Sequence, residues 1–257
     1  MENIELSVEK TMVPLKVSVA NEMVARYQAT RKTLIDESFG INDTRSIWFS
    51  IDGIRNFINN LPVDASGVRI HLAAYTQDNE HYPNQTTVIF IGTAEKDGKD
   101  TDAMETNVLF DIDLGVLGPF NQGKPCPPVC GFFMDSFVEK TMIPIELSMA
   151  KEIIANYNST RKTLIDETFG INDTRSIWVS LDELKSFINN LPKNANGVRV
   201  HLTVYNQSEQ HYPNQTTVIW TGTLEQGYQT VDIIDKDGAF LSADKTMAPW
   251  TMGKVCS

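Results

Sequence analysis

Lys32 to Trp48 reads KTLIDESFGINDTRSIW, and Lys162 to Trp178 reads KTLIDETFGINDTRSIW, with only Ser38 and Thr168 differing. The offset of 130 holds without a gap from Val8 to Lys96, and about 57 of those 89 positions are identical. A period this long exceeds the ~20 to 50 residues of stacked solenoid repeats. The 257 residues therefore read as two copies of one unit, 1–130 and 131–257, each large enough to bury a core of its own.

Within the unit, Ala20, Met23, Val24, Tyr27, Leu34 and Ile35 recur at helical spacing. They return as Ala150, Ile153, Ile154, Tyr157, Leu164 and Ile165, which predicts an amphipathic helix from about residue 18 to 35. The opposite face changes freely, Arg26 becoming Asn156 and Asn21 becoming Lys151, as a solvated face would. Arg45 to Phe49 alternates as a strand, and Ser50 caps a second helix that stops before Pro62. In Val68 to Tyr75 the alternation sends Val68, Ile70, Leu72 and Ala74 to the core and Arg69, His71, Ala73 and Tyr75 to the other face. Thr86 to Ile91 is β-branched and apolar enough for a central strand. Lys96 to Asp113 diverges between copies and reads as a variable surface loop, with a further strand near Leu109 to Ile112 and its counterpart near Val231 to Ile234. The expected class is α+β: two homologous domains, each with two or three helices packed on a small, mostly antiparallel sheet.

Charge and cysteine content narrow the function classes. Thirty-three acidic residues against 22 basic ones give a net charge of −11, with Lys and Arg scattered, which argues against nucleic acid as a partner. No apolar stretch has the length of a secretory signal core or a membrane helix, so a cytoplasmic location and no membrane partner are expected. Three cysteines are too few for a disulfide scaffold and suit a reducing compartment. Cys126-Pro-Pro-Val-Cys130 reads as a stiff linker turn carrying two thiols, and it cannot supply a cysteine-only zinc site. No nucleotide-binding or hydrolytic signature occurs, so no cofactor is expected.

The four histidines are the same two in each copy: His71 with His201, and His81 with His211. Arg69, His71 and Tyr75, repeated as Arg199, His201 and Tyr205, are the catalytic candidates, because a histidine beside such groups can act as a general base near neutral pH. His71, His81, His201 and His211 are the metal-ligand candidates if the loop brings His81 and His211 back to the strand face. Against this, no carboxylate stays fixed beside them, since Asp78-Asn79-Glu80 becomes Ser208-Glu209-Gln210. The intact stretch Asn42, Asp43 and Arg45 and the loop His81, Tyr82 and Asn84 are binding candidates, with Asn172, Asp173, Arg175, His211, Tyr212 and Asn214 as their copies. The alternative for Asn42 to Arg45 is a turn in which the short polar side chains bond the local backbone.

The segments Ser50 to Ile58, Gly67 to Tyr75, Thr87 to Phe90 and Asn121 to Pro128 resemble a set of small bacterial proteins without assigned activity. These share the skeleton IWFSLDELKxFI, GIRIYFGxY, TVVFxxT and NxGxxCPP. The resemblance implies a duplicated stand-alone domain and no particular chemistry. His71 and His201 stand where that skeleton has Tyr, so a histidine mechanism is not implied by it. The leading expectation is a non-catalytic interaction or structural protein, two pseudo-symmetric copies that bind a protein partner or self-associate. The alternative is a metal-dependent or acid–base enzyme using the paired histidines, which requires His71 and His81 to face one pocket.

Overall fold

A computed structural model describes residues 11–102, 118–127, 130, 141–227, 229–233, 250–252 and 254–256. The first half runs as strand β1 (Met12–Pro14), helix α1 (Val17–Tyr27), a π-helical turn (Gln28–Lys32), α2 (Thr33–Phe39), β2 (Ser46–Ser50), α3 (Ile51–Asn59), β3 (Ala65–Ala74), β4 (Thr86–Lys96), β5 (Lys99–Asp102), β6 (Phe120–Asn121) and β7 (Lys124–Cys126). The second half follows as β8 (Ile143–Pro144), α4 (Leu147–Tyr157), a π-helical turn (Asn158–Lys162), α5 (Thr163–Phe169), β9 (Ser176–Ser180), α6 (Leu181–Asn190), β10 (Gly197–Val204), β11 (Thr216–Gln226), β12 (Gln229–Asp232), β13 (Trp250–Met252) and β14 (Lys254–Cys256). The class is α+β with antiparallel sheets. The long helix ends at Gly40, whose φ of 65° is a left-handed C-cap that glycine adopts without steric cost.

The strands do not sort by half. One sheet has the order β1-β13-β11-β10-β2-β7 with β12 on β11, and the other β14-β9-β3-β4-β6-β8 with β5 on β4. At the seam of the first sheet, β2 of the first half pairs with β10 of the second, from Gly197 opposite Ser50 to His201 opposite Ser46. The mirror seam joins β3 to β9, from Gly67 opposite Ser180 to His71 opposite Ser176. The expectation that each copy buries its own core therefore gives way to two interleaved halves. The exchange is degenerate in sequence: Val68-Arg69-Ile70-His71 and Val198-Arg199-Val200-His201 offer β2 nearly the same neighbours.

Trp48 and Trp178 lock the seams. The Trp178 indole lies against Gly67, where an added Cβ would come 2.6 Å from Nε1, and it donates to Thr93 Oγ1 at 2.9 Å. Trp48 does the same over Gly197 and donates to Thr223 Oγ1 at 2.9 Å. Glycine is needed at both places because the indole occupies the side-chain position.

The inner faces of both sheets share one core with α3 and α6; Phe90 meets Phe49 at 5.1 Å and Trp220 at 5.8 Å, edge-on. The outer faces are covered by the helix of the opposite half. Ala20 and Met23 of α1 pack on Tyr205 and Ile219, while Ala150, Ile153 and Ile154 of α4 pack on Ala73, Tyr75, Ile89 and Ile91. The freely varying pair Arg26 and Asn156 is not a solvated face. Arg26 Nη1 donates to Val204 O at 3.0 Å, and Asn156 Nδ2 donates to Ala74 O and Tyr75 O at 3.0 and 2.9 Å, so two different side chains bond the end of the opposite half's strand.

The N-terminus of the second helix shows how the halves differ. Ser180 caps α6 by accepting from Glu183 N at 3.3 Å, and Glu183 Oε2 also accepts from Thr11 N at 2.7 Å. At the corresponding end Gly53 replaces the glutamate; Ser50 accepts from Gly53 N at 3.1 Å and Thr141 Oγ1 lies 2.9 Å from Ser50 Oγ.

Candidate functional site

Arg69 and His71 project from the same face of β3, two residues apart, and the β4–β5 hairpin carries Asp102 onto them. Asp102 is fully buried; His71 Nε2 lies 2.8 Å and Arg69 Nε 3.1 Å from its Oδ2. The second half repeats the set: Arg199 Nη1 is 2.5 Å from Asp232 Oδ1, and His201 Nε2 is 3.2 Å from Asp232 Oδ2. A carboxylate only accepts, so Nε2 carries the proton toward it and a neutral ring keeps its lone pair on Nδ1. Burial acts to raise the Asp232 carboxyl, but His201, Arg199 and the Thr221 hydroxyl together outweigh it and hold the group below the usual carboxylate range. The arginines also tie the hairpin down, Arg199 Nη2 donating to Thr230 O at 2.9 Å and Arg69 Nη2 to Asp100 O at 2.5 Å.

These carboxylates overturn the reading that none is fixed beside the histidines. Asp102 and Asp232 stand 130 apart, in register with the repeat, each 31 residues after its histidine. The expected variable loop is in fact a hairpin over its first part: Asp97 and Gly98, at φ 54° and 73°, make the two-residue turn from β4 to β5. The strand expected near Val231 is β12, and by register its counterpart is β5. The strand expected at Leu109 to Ile112 lies outside the described residues. The Asp-Gly turn signal and the unbroken offset were the two clues to the aspartates.

The second-half trio opens into a cavity of about 320 Å³ that spans the seam. Arg199, His201, Asp232 and Thr230 line it from one half, and Arg45, Ser46 and Gln28 from the other. Ser46 and His201 are direct cross-strand neighbours, so neither half alone builds this wall. Arg45 is exposed, and among the described residues its guanidinium has no hydrogen-bond or ion-pair partner. Cys126 and Cys130 complete the rim. They form a disulfide, which corrects the reading of this turn as two thiols.

The histidines of the loop lie elsewhere. His81 lines a separate cavity of about 200 Å³ with Tyr75, Tyr82, Asn121, Lys124 and Met149, to which His71 does not contribute; nor does His211 line the cavity of His201. Tyr75 and Tyr82 pack 5.9 Å apart there, and Tyr205 and Tyr212 repeat the pair at 5.9 Å. Burial pushes the Tyr75 hydroxyl up to about 12 despite hydrogen bonds with Thr87 and Asn121, so it remains a neutral group. Among the described residues no three His, Cys, Asp or Glu side chains converge as a metal site. Neither of these two cavities is lined by both histidines of one half.

Most of the binding candidates are structural. Asp43 and Asp173 are fully buried, accepting from the backbone N of Thr86 and Thr216 at 2.7 Å and from their hydroxyls at 2.6 Å. Asn42 and Asn172 accept from Lys32 and Lys162 at 2.7 Å. Asn84 and Asn214, both at φ 57°, bind a buried arginine of the opposite half: Arg161 Nη2 donates to Asn84 Oδ1 at 2.9 Å, and Arg31 Nη1 to Asn214 Oδ1 at 3.2 Å. Arg31 stacks 4.3 Å from the Phe169 ring and Arg161 4.7 Å from that of Phe39. Burial raises Asp43 and Asp173 and lowers Arg31 and Arg161, each shift opposed by the oppositely charged groups across the pseudo-two-fold. A partner does not reach the buried aspartates and arginines; Asn42, Arg45 and His81, with their copies Asn172, Arg175 and His211, are the candidates left exposed.

No protein-family model, curated protein or solved structure matches this chain. Among the described residues no helix is long and apolar enough to cross a membrane.

Proposed function

We propose that this chain is a non-catalytic binding protein, a pseudo-dimer in one polypeptide whose ligand is held at the seam between the halves. The observation that carries this reading is the seam cavity, where Arg45 and Ser46 of one half meet Arg199, His201 and Asp232 of the other. Small-ligand pockets occupy ~300 to 1,000 Å³ and favour boundaries between structural units. Screening small molecules by thermal shift tests the reading. Ligands that raise Tm should lose their effect in Gln229→Trp, which fills the cavity from its exposed rim; a screen without a single such ligand counts against it.

A second reading is favoured by one observation, the carboxylate on His Nε2 in both halves with a serine directly across the strand pair. In it His71 and His201 act as general bases, and Ser176 and Ser46 as nucleophiles. Hydrolysis of p-nitrophenyl acetate that drops to the uncatalysed rate in the double variant His71→Gln/His201→Gln would establish it. Equal rates in variant and wild type would remove it.

A further inference from the structure

The charge of the seam cavity is opposite to that of the protein. The chain carries −11, yet among the described residues this cavity is lined by two guanidinium groups, Arg45 and Arg199, against one carboxylate, Asp232, with no lysine or glutamate. The two arginines are not equivalent. Arg199 is occupied by Asp232 and by Thr230 O, whereas Arg45, exposed at the rim, has no side-chain partner among the described residues. Arg45 is nevertheless held in place by its backbone: its N donates to Cys126 O at 2.7 Å, and its O accepts from Leu202 N at 3.0 Å. The anchoring strand thus carries an unneutralised planar fork at a polar cavity.

Resting on the binding reading above, we infer that the ligand is a small organic acid whose carboxylate takes the open fork of Arg45, with the His201 ring and the Ser46 hydroxyl lining the space behind it. A guanidinium offers two parallel N–H donors that match a carboxylate, and a charge-assisted pair of this kind gains strength in a partly enclosed site. Asp232 does not repel the anion strongly, because its own charge is already spent on Arg199 and His201. The cavity's volume, at the lower end of the range for small-ligand pockets, sets the size of the acid. Arg175 and Ser176, paired through β9 with His71, hold the same sequence positions at the mirror seam.

Benzoate and its neutral isostere benzamide test the charge directly, with the side-chain Nε–H signals of arginine followed by NMR on the full chain. Benzoate should shift the Arg45 signal and the His201 ring signals, benzamide should not, and Arg45→Ala should weaken the benzoate response at His201 by about tenfold or more. Arg55→Ala, which removes an equal charge from an exposed helix position, should leave it unchanged. Equal weakening by both variants would reduce the effect to the general field and overturn the inference. Benzamide binding as well as benzoate at the cavity would overturn it too, while leaving the binding reading intact. If neither moves the cavity signals, and no library compound gives a stabilisation sensitive to Gln229→Trp, both fall together.

Discussion

Residues 1–130 and 131–257, expressed as separate polypeptides, are expected not to persist as folded monomers. Cutting between them removes β10 from β2, a ladder of five residue pairs, and at about 1 kcal/mol net per hydrogen bond this loses about 5 kcal/mol. Met23 loses its seat on Tyr205 and Ile219, worth about 1.5 to 3 kcal/mol. Arg31 loses Asn214 and Phe169, and its charged hydrogen bonds are worth about 1.5 to 3 kcal/mol. The sum for this one seam, roughly 8 to 11 kcal/mol, already falls within the ~5 to 15 kcal/mol that holds an ordinary domain together, and the cut severs the five-pair mirror seam of β3 and β9 as well. Each half should therefore be unfolded when dilute and recover native-like circular dichroism when mixed with the other half or concentrated enough to pair with itself. Light scattering behind size exclusion, with urea titrations at several concentrations, reads this out. A half that unfolds cooperatively as a monomer, with a midpoint independent of concentration, would refute the interleaved topology.

Three further outcomes follow from particular contacts. Gly197→Ala places a Cβ 2.5 Å from Phe49 O and against the Trp48 indole, so chemical denaturation should show a loss of about 1 to 3 kcal/mol, as overpacking does. Arg161→Lys removes the fork that reaches Asn84 and the stacking on Phe39, and should cost about 2 kcal/mol; a change below about 0.5 kcal/mol would mean the buried cation is not a structural tie. For Asp232 the folded carboxyl lies below its unfolded value of about 3.9, so its contribution to stability is present above that pH and is lost as pH falls through the lowered folded value. Asp232→Asn should accordingly lose stability at neutral pH and show a shallower decline than wild type below about pH 4 in Tm measurements.

Much of the local structure was legible because it is governed by neighbours along the chain. The stripe from Ala20 to Ile35, the serine caps and the alternation through Val68 to Ala74 depend on spacings of two to four residues. The choice of strand partner is non-local, and with two nearly identical copies the sequence carries almost no information that distinguishes β2 on β3 from β2 on β10. Burial of Arg31 and Arg161 was invisible for another reason: a charged residue on a helix is ordinarily solvated, and the ring, asparagine and buried carboxylate brought by the other half make its burial tolerable. At the site, Arg69, His71 and their copies could be named from alternation, whereas Asp102 and Asp232 lay in a stretch whose other residues differ too much to draw attention to them.

The mismatch between Gly53 and Glu183 shows what joining the halves permits. Two identical chains assembled in this way would have to accept every substitution at both ends at once, so a glycine suited to one end would also strip the other of its glutamate. Here each end is inherited separately: Thr141 fits closely over Gly53, while Glu183 gathers Thr11 and Ser180. The two seams are likewise free to drift apart in sequence, one of them rimmed by the Cys126–Cys130 disulfide.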